Sequence, residues 1–319
     1  MFHGWCQGLQ DNGVEVVPFD LANRLVYYGN AAIFDDDLTR VVKKLTVPEA
    51  HTAVTDDLFG CLYQVDPDVV FVVHGANVDW SMLAEIRCPV VLILTECPYE
   101  NENQLVMADA ARPQLILVND ITDASVFKSV APTFYVPHSY DPKVHYRGTP
   151  STDCVFVGTG FPNRVDFMGR VDWSGIDLSL GGMWGEANGT NLARFVVHDN
   201  ANECVDNKVT ADLYRSARTS FNISRADVHG EHSTADGWAM GPREVELAAC
   251  GTWFARQSRP EGDDLFPMLP VFEDPAELGD LIRWALAHPT EREAAVVAAH
   301  AAVADRTFAR AAASALARI

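Results

Sequence analysis

The sequence lacks a long apolar run. No stretch approaches the roughly 18 residues that a membrane-crossing helix needs, which excludes a helical span. It also lacks a basic start followed by an apolar stretch. Met1-Phe2-His3-Gly4-Trp5-Cys6 is not the opening of a secretory leader, so the expected location is the cytoplasm. Positive charge is scarce: 24 Lys and Arg stand against 44 Asp and Glu, a net charge of −20. A surface this acidic repels a phosphate backbone, which disfavours nucleic acid as a partner. The seven cysteines are odd in number, scattered and without a CxxC pair. That pattern fits reduced thiols rather than a disulfide framework or a zinc knuckle. His229-Gly230-Glu231-His232 falls short of the HExxH zinc pattern. The acidic run Asp35-Asp36-Asp37 reads as a loop.

What is present is an ordinary globular composition, 48% apolar and 10% aromatic, over 319 residues. That length suits two domains, each able to bury a core. In the first half the apolar runs Val14–Phe19, Asp68–Val73, Pro89–Leu94, Leu115–Val118 and Thr133–Val136 read as strands. Runs apolar on both faces predict a parallel sheet covered by helices, an α/β fold. Residues 138–152 are polar and carry Pro142, Gly148 and Pro150, which marks a linker. The pattern restarts beyond it. Strands are expected at 153–157, 176–180, 219–223 and 252–255, with helices at 163–170, 209–217 and 242–249. An Ala-rich helical tail from Pro275 is broken at His288-Pro289. The expected boundaries are 1–137, linker 138–152, 153–305 and a terminal helix 306–319. Met1 to Asn12 reads as an amphipathic helix where such a domain opens with a strand. The expectation is a missing first strand, with about 10–20 coding residues upstream.

Two segments carry chemistry. The first is Phe156-Val157-Gly158-Thr159-Gly160-Phe161-Pro162-Asn163-Arg164, a strand, a glycine turn and a helix start. Free amides at a helix start favour an anion such as a diphosphate, and Arg164 would add a fixed positive charge. It is not a full GxGxxG, and no acidic residue follows where a dinucleotide fold needs one, which argues against a nicotinamide enzyme. The second is the helix Pro242–Cys250, opened by Gly241-Pro242 and stopped by Gly251. It places Arg243 and Glu246 three residues apart on one face. On their own these read as a solvated ion pair. The polar loop Arg225–Trp238 before it reads as a substrate lid.

Pro242-Arg243-Glu244-Val245-Glu246-Leu247-Ala248-Ala249-Cys250-Gly251 resembles the "R-x-x-E-A-x-A-C-G" helix of retaining glycosyltransferases with the two-domain GT-B fold. The likeness is to the spore-maturation-protein-like group and its relatives in actinobacteria and phages. Four further segments resemble that group in order: Tyr135–Pro142, Val155–Arg164, Leu213–Ile223 and Phe266–Glu277. The resemblance covers about residues 135–310. It implies two Rossmann-like domains facing across a cleft, with a nucleotide sugar as co-substrate on the second and no further cofactor. It also implies that Glu246 takes the ribose hydroxyls, and that Arg243, Arg164, Gly158, Thr159 and Gly160 face the diphosphate. Many relatives carry a glutamate eight residues before the ribose glutamate, where this chain has Trp238. Glu231, His232 and Asp236 are then the candidates for the sugar-facing group.

The acceptor side is expected on the first domain. His74 and Glu96 follow strands, and His138 lies in the linker; each could orient or deprotonate an acceptor hydroxyl. Tyr214 reads as helix packing. The resulting expectation is a metal-independent, retaining hexosyl transfer from a nucleotide sugar to a protein, glycan or small-molecule hydroxyl. Two rivals share the fold: a nucleotide-sugar epimerase or hydrolase, and a non-catalytic nucleotide-sugar-binding protein.

Overall fold

The computed structural model describes residues 1–34, 37, 41–75, 80–96, 98–199, 205–224 and 237–319. The chain forms two compact units, Met1–Val136 with Ala313–Ile319, and Pro137–Ala312.

The first unit opens with α1 (Phe2–Asp11), α2 (Leu21–Asn30) and a short antiparallel pair, β1 (Ala32–Phe34) and β2 (Val41–Lys44). Then come α3 (Val47–Val65), β3 (Val70–Val73), α4 (Trp80–Leu83), β4 (Val90–Leu94), α5 (Asn101–Ala111), β5 (Leu115–Val118), α6 (Ala124–Phe127) and β6 (Thr133–Tyr135). Helix α3 starts where it does because Thr46 and Glu49 close a capping box: each side chain bonds the other's backbone N–H. The sheet is parallel throughout, in the order β3-β4-β5-β6. β4 and β5 are buried along their whole length, while β3 at the edge is half-buried. This is why their sequences are apolar on both faces. Trp5 of α1 is buried and stacks on Phe71, with ring centroids 6.4 Å apart. Val14–Phe19, expected as a strand, has no regular structure. Its side chains gain little burial (Val17 is 49% exposed), and Pro18 offers no N–H to a ladder.

The second unit contains β7 (Thr152–Val157), α7 (Pro162–Gly169), β8 (Leu178–Gly182), β9 (Val196–Asp199), α8 (Asn207–Ser216), β10 (Ala217–Asn222), α9 (Pro242–Cys250), β11 (Trp253–Arg256), α10 (Pro260–Leu265), α11 (Pro275–Ala287) and α12 (Pro289–Ala302). The last helix, α13 (Phe308–Leu316), ends among residues grouped with the first unit, where Arg318 lies over the Phe134 ring. The sheet is again parallel, ordered β11-β10-β7-β8-β9. β8 begins two residues later than its apolar run, because pairing with β7 sets Cys154 beside Leu178 and Val157 beside Gly181. The core is built on Phe156, Phe221, Trp184, Trp253 and Phe254, all at most 1% exposed. Residues 138–152, read as a linker, group with this unit. Tyr140 donates its N–H to Arg306 O and accepts from Phe308 N–H, which stitches the stretch onto the α12–α13 connection.

The strand order places the functional region. β7 and β10 are neighbours, yet the chain leaves β7 toward β8 and returns to β10 on the other side. In open α/β sheets such a reversal leaves a crevice at the carboxyl ends of the two strands, where ligands bind.

Candidate functional site

The glycine turn and the start of α9 meet at the carboxyl ends of β7 and β10. Arg243, in the first turn of α9, donates from Nε (3.0 Å) and Nη2 (2.7 Å) to Val157 O, and from Nη1 to Asn222 Oδ1. Its guanidinium lies 4.4 Å from the centre of the Phe156 ring, a cation–π contact. Arg164 is buried; it donates to Thr159 O and Ile223 O, each at 3.0 Å. Both arginines therefore clip the turn after β7 to the end of β10. Sequence reasoning expected them to reach outward to an anion. The structure turns them onto backbone and amide oxygens instead, and their charge is felt through the turn.

Two of the three amides expected to face a diphosphate are committed elsewhere. Gly158 N–H donates to Gly181 O (2.9 Å) and Gly160 N–H to Met183 O (2.8 Å), which continues the sheet beyond β7. The glycines are needed for close approach. A Cβ on Gly158 would stand 2.5 Å from Arg243 Nη2, and one on Gly182, at φ +114°, would stand 2.4 Å from Gly158 O. The Thr159, Phe161 and Asn163 amides have no partner among the described residues. Thr159 and Phe161 are half-buried and Asn163 is exposed. These three, beside the α7 N-terminus, form the available anion cradle.

Helix α9 is fixed at its far end by Gly251 in the left-handed region, at φ +73°. The 243/246 pair forms no salt bridge among the described residues. Arg243 faces the strand ends, and the Glu246 carboxylate, 21% exposed, lies 3.8 Å from Nε2 of buried His145. Tyr214 is buried, and burial raises its phenol well above the usual range.

Asn222, Glu244 and His145 escaped the sequence reading. Asn222 ends β10 and joins two charged residues of α9, Arg243 and Glu244. Its Oδ1 accepts from Arg243, and its Nδ2 donates to Glu244 Oε1. Glu244 is fully buried, and desolvation pushes its carboxyl up to about 7, against the opposing effects of Asn222 and Arg256. The one available signal was an Asn at a strand end facing a glycine turn. Nearby, Arg259 donates to Gly237 O at 2.7 Å, and Glu261 accepts from Met240 N–H and Arg306.

Trp238 is half-buried and its carbonyl accepts from Glu261 N–H. Glu231, His232 and Asp236, with most of the loop 225–238, lie outside the described residues, as do Asp35 and Asp36. Asp37 is exposed. Among the described residues, no group of three or more His, Cys, Asp or Glu side chains is placed to hold a metal. Nor is any described helix long and apolar enough to cross a membrane.

In the first unit, His74 and Glu96 follow the adjacent strands β3 and β4. His74 is exposed and sits in the left-handed region at φ +63°, a conformation that costs a non-glycine residue about 1 kcal/mol or more. Its Nδ1 is 3.1 Å from Thr95 Oγ1, which places the imidazole beside the residue preceding Glu96. After β5, Asp123 is buried and its carboxyl is raised to about 6, mainly by desolvation; Asn101 Nδ2 donates to it at 2.8 Å. His138 is 8% exposed and belongs to the second unit.

Each unit is thus a parallel α/β layer, and the chain has the GT-B fold of known glycosyltransferases. A sucrose-phosphate synthase from Thermosynechococcus elongatus matches with a TM-score of 0.60 at 14% identity, over 88% of this chain and 79% of that one. HepE from Anabaena, in complex with UDP-glucose, matches at 0.59 and 13%, over 83% and 82%. A Listeria monocytogenes protein described as a UDP-N-acetylglucosamine 2-epimerase matches at 0.55 and 13%, over 86% and 80%. At these identities the likeness establishes the fold. Residues 164–317, just under half of the chain, match the family model described as "Glycosyl transferase-like". No curated protein matches the chain. The partial family match and the fold are both of glycosyltransferase type.

Proposed function

We propose that this chain transfers a hexosyl group from a nucleotide-sugar donor to an acceptor hydroxyl, with retention and without a metal. The observation that carries the reading is the convergence of Arg164, Arg243 and the 158–163 turn where β7 and β10 part, with Glu246 one helical turn further along α9. The Thr159, Phe161 and Asn163 amides take the diphosphate oxygens. The two arginines stabilise the charge that grows as the anomeric C–O bond breaks and its electron pair leaves with the diphosphate. Glu246 accepts from the two ribose hydroxyls. His74 or Glu96 in the first unit orients the acceptor hydroxyl, whose oxygen bonds to the anomeric carbon as its proton passes to the departing diphosphate.

A thermal-shift panel of UDP-, GDP-, TDP- and ADP-sugars tests this. One nucleotide class at saturation is expected to raise the midpoint by a few degrees, as mass action requires, and Glu246→Ala to remove that shift. No shift with any donor would refute the reading. The epimerase neighbour favours one rival. Released epimer or free sugar, formed at a rate independent of any acceptor, would select it.

A further inference from the structure

His145 stands directly behind Glu246. It is buried, with a side-chain exposure of 4%. Its ring is fixed by a tight turn in which Asp141 O accepts from Val144 N–H (3.0 Å) and His145 N–H (2.7 Å), with the His145 Nδ1 at 3.3 Å. Nδ1 faces a carbonyl oxygen, so it carries a hydrogen. Nε2 is also buried and makes no hydrogen bond among the described residues. Glu246 Oε1 lies 3.8 Å from it. A movement of about 1 Å by the glutamate side chain brings that pair to hydrogen-bonding distance. Glu246 keeps its other side open to solvent.

We propose that His145 is the positioning residue for Glu246. This rests on the donor-binding reading above. With a hydrogen on each ring nitrogen, His145 is an imidazolium that holds Oε1 from the protein side through Nε2–H, so that the remaining lone pairs of the carboxylate point at a vicinal diol. It thereby sets the preference for a ribose over a 2′-deoxyribose nucleotide. His145 does not touch the donor itself, because its Nε2 is enclosed.

The test compares full-length wild type, Glu246→Gln, His145→Asn and His145→Gln for binding of UDP, GDP, their 2′-deoxy forms and inorganic pyrophosphate. Asn replaces Nδ1 alone, whereas Gln places an amide N–H near the Nε2 position. The wild type is expected to prefer the ribonucleotide by ~10- to 100-fold, as for a hydrogen bond to a charged group. His145→Asn should lose most of that preference, His145→Gln should restore part of it, and both should bind pyrophosphate as the wild type does. Adding Glu246→Gln to His145→Asn should lower the preference no further, because the two residues act as one unit. A preference that survives in His145→Asn but not in Glu246→Gln overturns the assignment. So does an equal loss of ribonucleotide, deoxynucleotide and pyrophosphate, which would mark a merely structural role. Equal wild-type affinity for both sugars removes the ribose contact and the inference with it. If the wild type binds none of these ligands, the donor-binding reading itself falls.

Discussion

An alanine at Gly182 is expected to destabilise the second unit by about 3 kcal/mol, the sum of left-handed strain and overpacking. The residue has φ +114°, and the added Cβ would stand 2.4 Å from Gly158 O and 2.9 Å from Gly158 C. These are backbone atoms of the turn that carries the anion cradle, so no side-chain rotation relieves the clash. A loss of this size lowers the midpoint of a unit of this length by roughly 6–12 °C. Donor affinity should fall as well, because the displaced turn includes Thr159 and Phe161. Gly189→Ala is the control. Gly189 also has positive φ, +80°, but a Cβ there would meet nothing within 4 Å. It should cost about 1 kcal/mol and leave ligand binding intact. Thermal unfolding of both variants checks this, and equal losses would contradict it.

The second large effect is a pH dependence centred on Glu244. Its folded carboxyl is raised to about 7 from an ordinary 4.5, chiefly by burial. Between those values the folded chain holds a proton that the unfolded chain has released, so stability falls as pH rises. The change across the window is about 3 kcal/mol. Asp123, raised to about 6 from 3.8, acts in the same direction at lower pH. Glu244→Gln removes the first contribution and keeps an oxygen for Asn222 Nδ2. Urea unfolding from pH 5 to pH 8 should show the wild type weakening and the variant weakening much less. At pH 8 the variant should be the more stable of the two by up to about 3 kcal/mol. Parallel curves would contradict this. Through Asn222, the same carboxyl also bears on how Arg243 is held.

The parallel sheets were legible because burial leaves a local trace. β4 and β5 are buried along their whole length, and their residues are apolar without interruption. Val14–Phe19 is also largely apolar, but Glu15 and Pro18 interrupt it, and among the described residues it pairs with no strand. The glycine turn and α9 were legible as landmarks, since Gly, Pro and a helix stop have fixed backbone requirements. What the residues on them bond to was not. Arg243 reaches Val157, 86 positions away in the chain, and Arg164 reaches Ile223, 59 positions away. A sequence window holds only the charge, which invites an outward-facing reading. Glu244 misleads for the opposite reason. It looks like a solvated helix residue, yet Val245, Leu247, Ala248 and Ala249 are buried with it, so α9 is enclosed on most sides.

Amide hydrogen exchange measured with and without the nucleotide sugar selected by the panel tests the central claim most directly. That claim is that the donor lies where β7 and β10 part. Exchange should slow in peptides covering 158–165 and 241–248, including the free amides of Thr159, Phe161 and Asn163, while β3 to β6 remain unchanged. Binding that leaves both peptides unprotected, or that protects only the first unit, would contradict it.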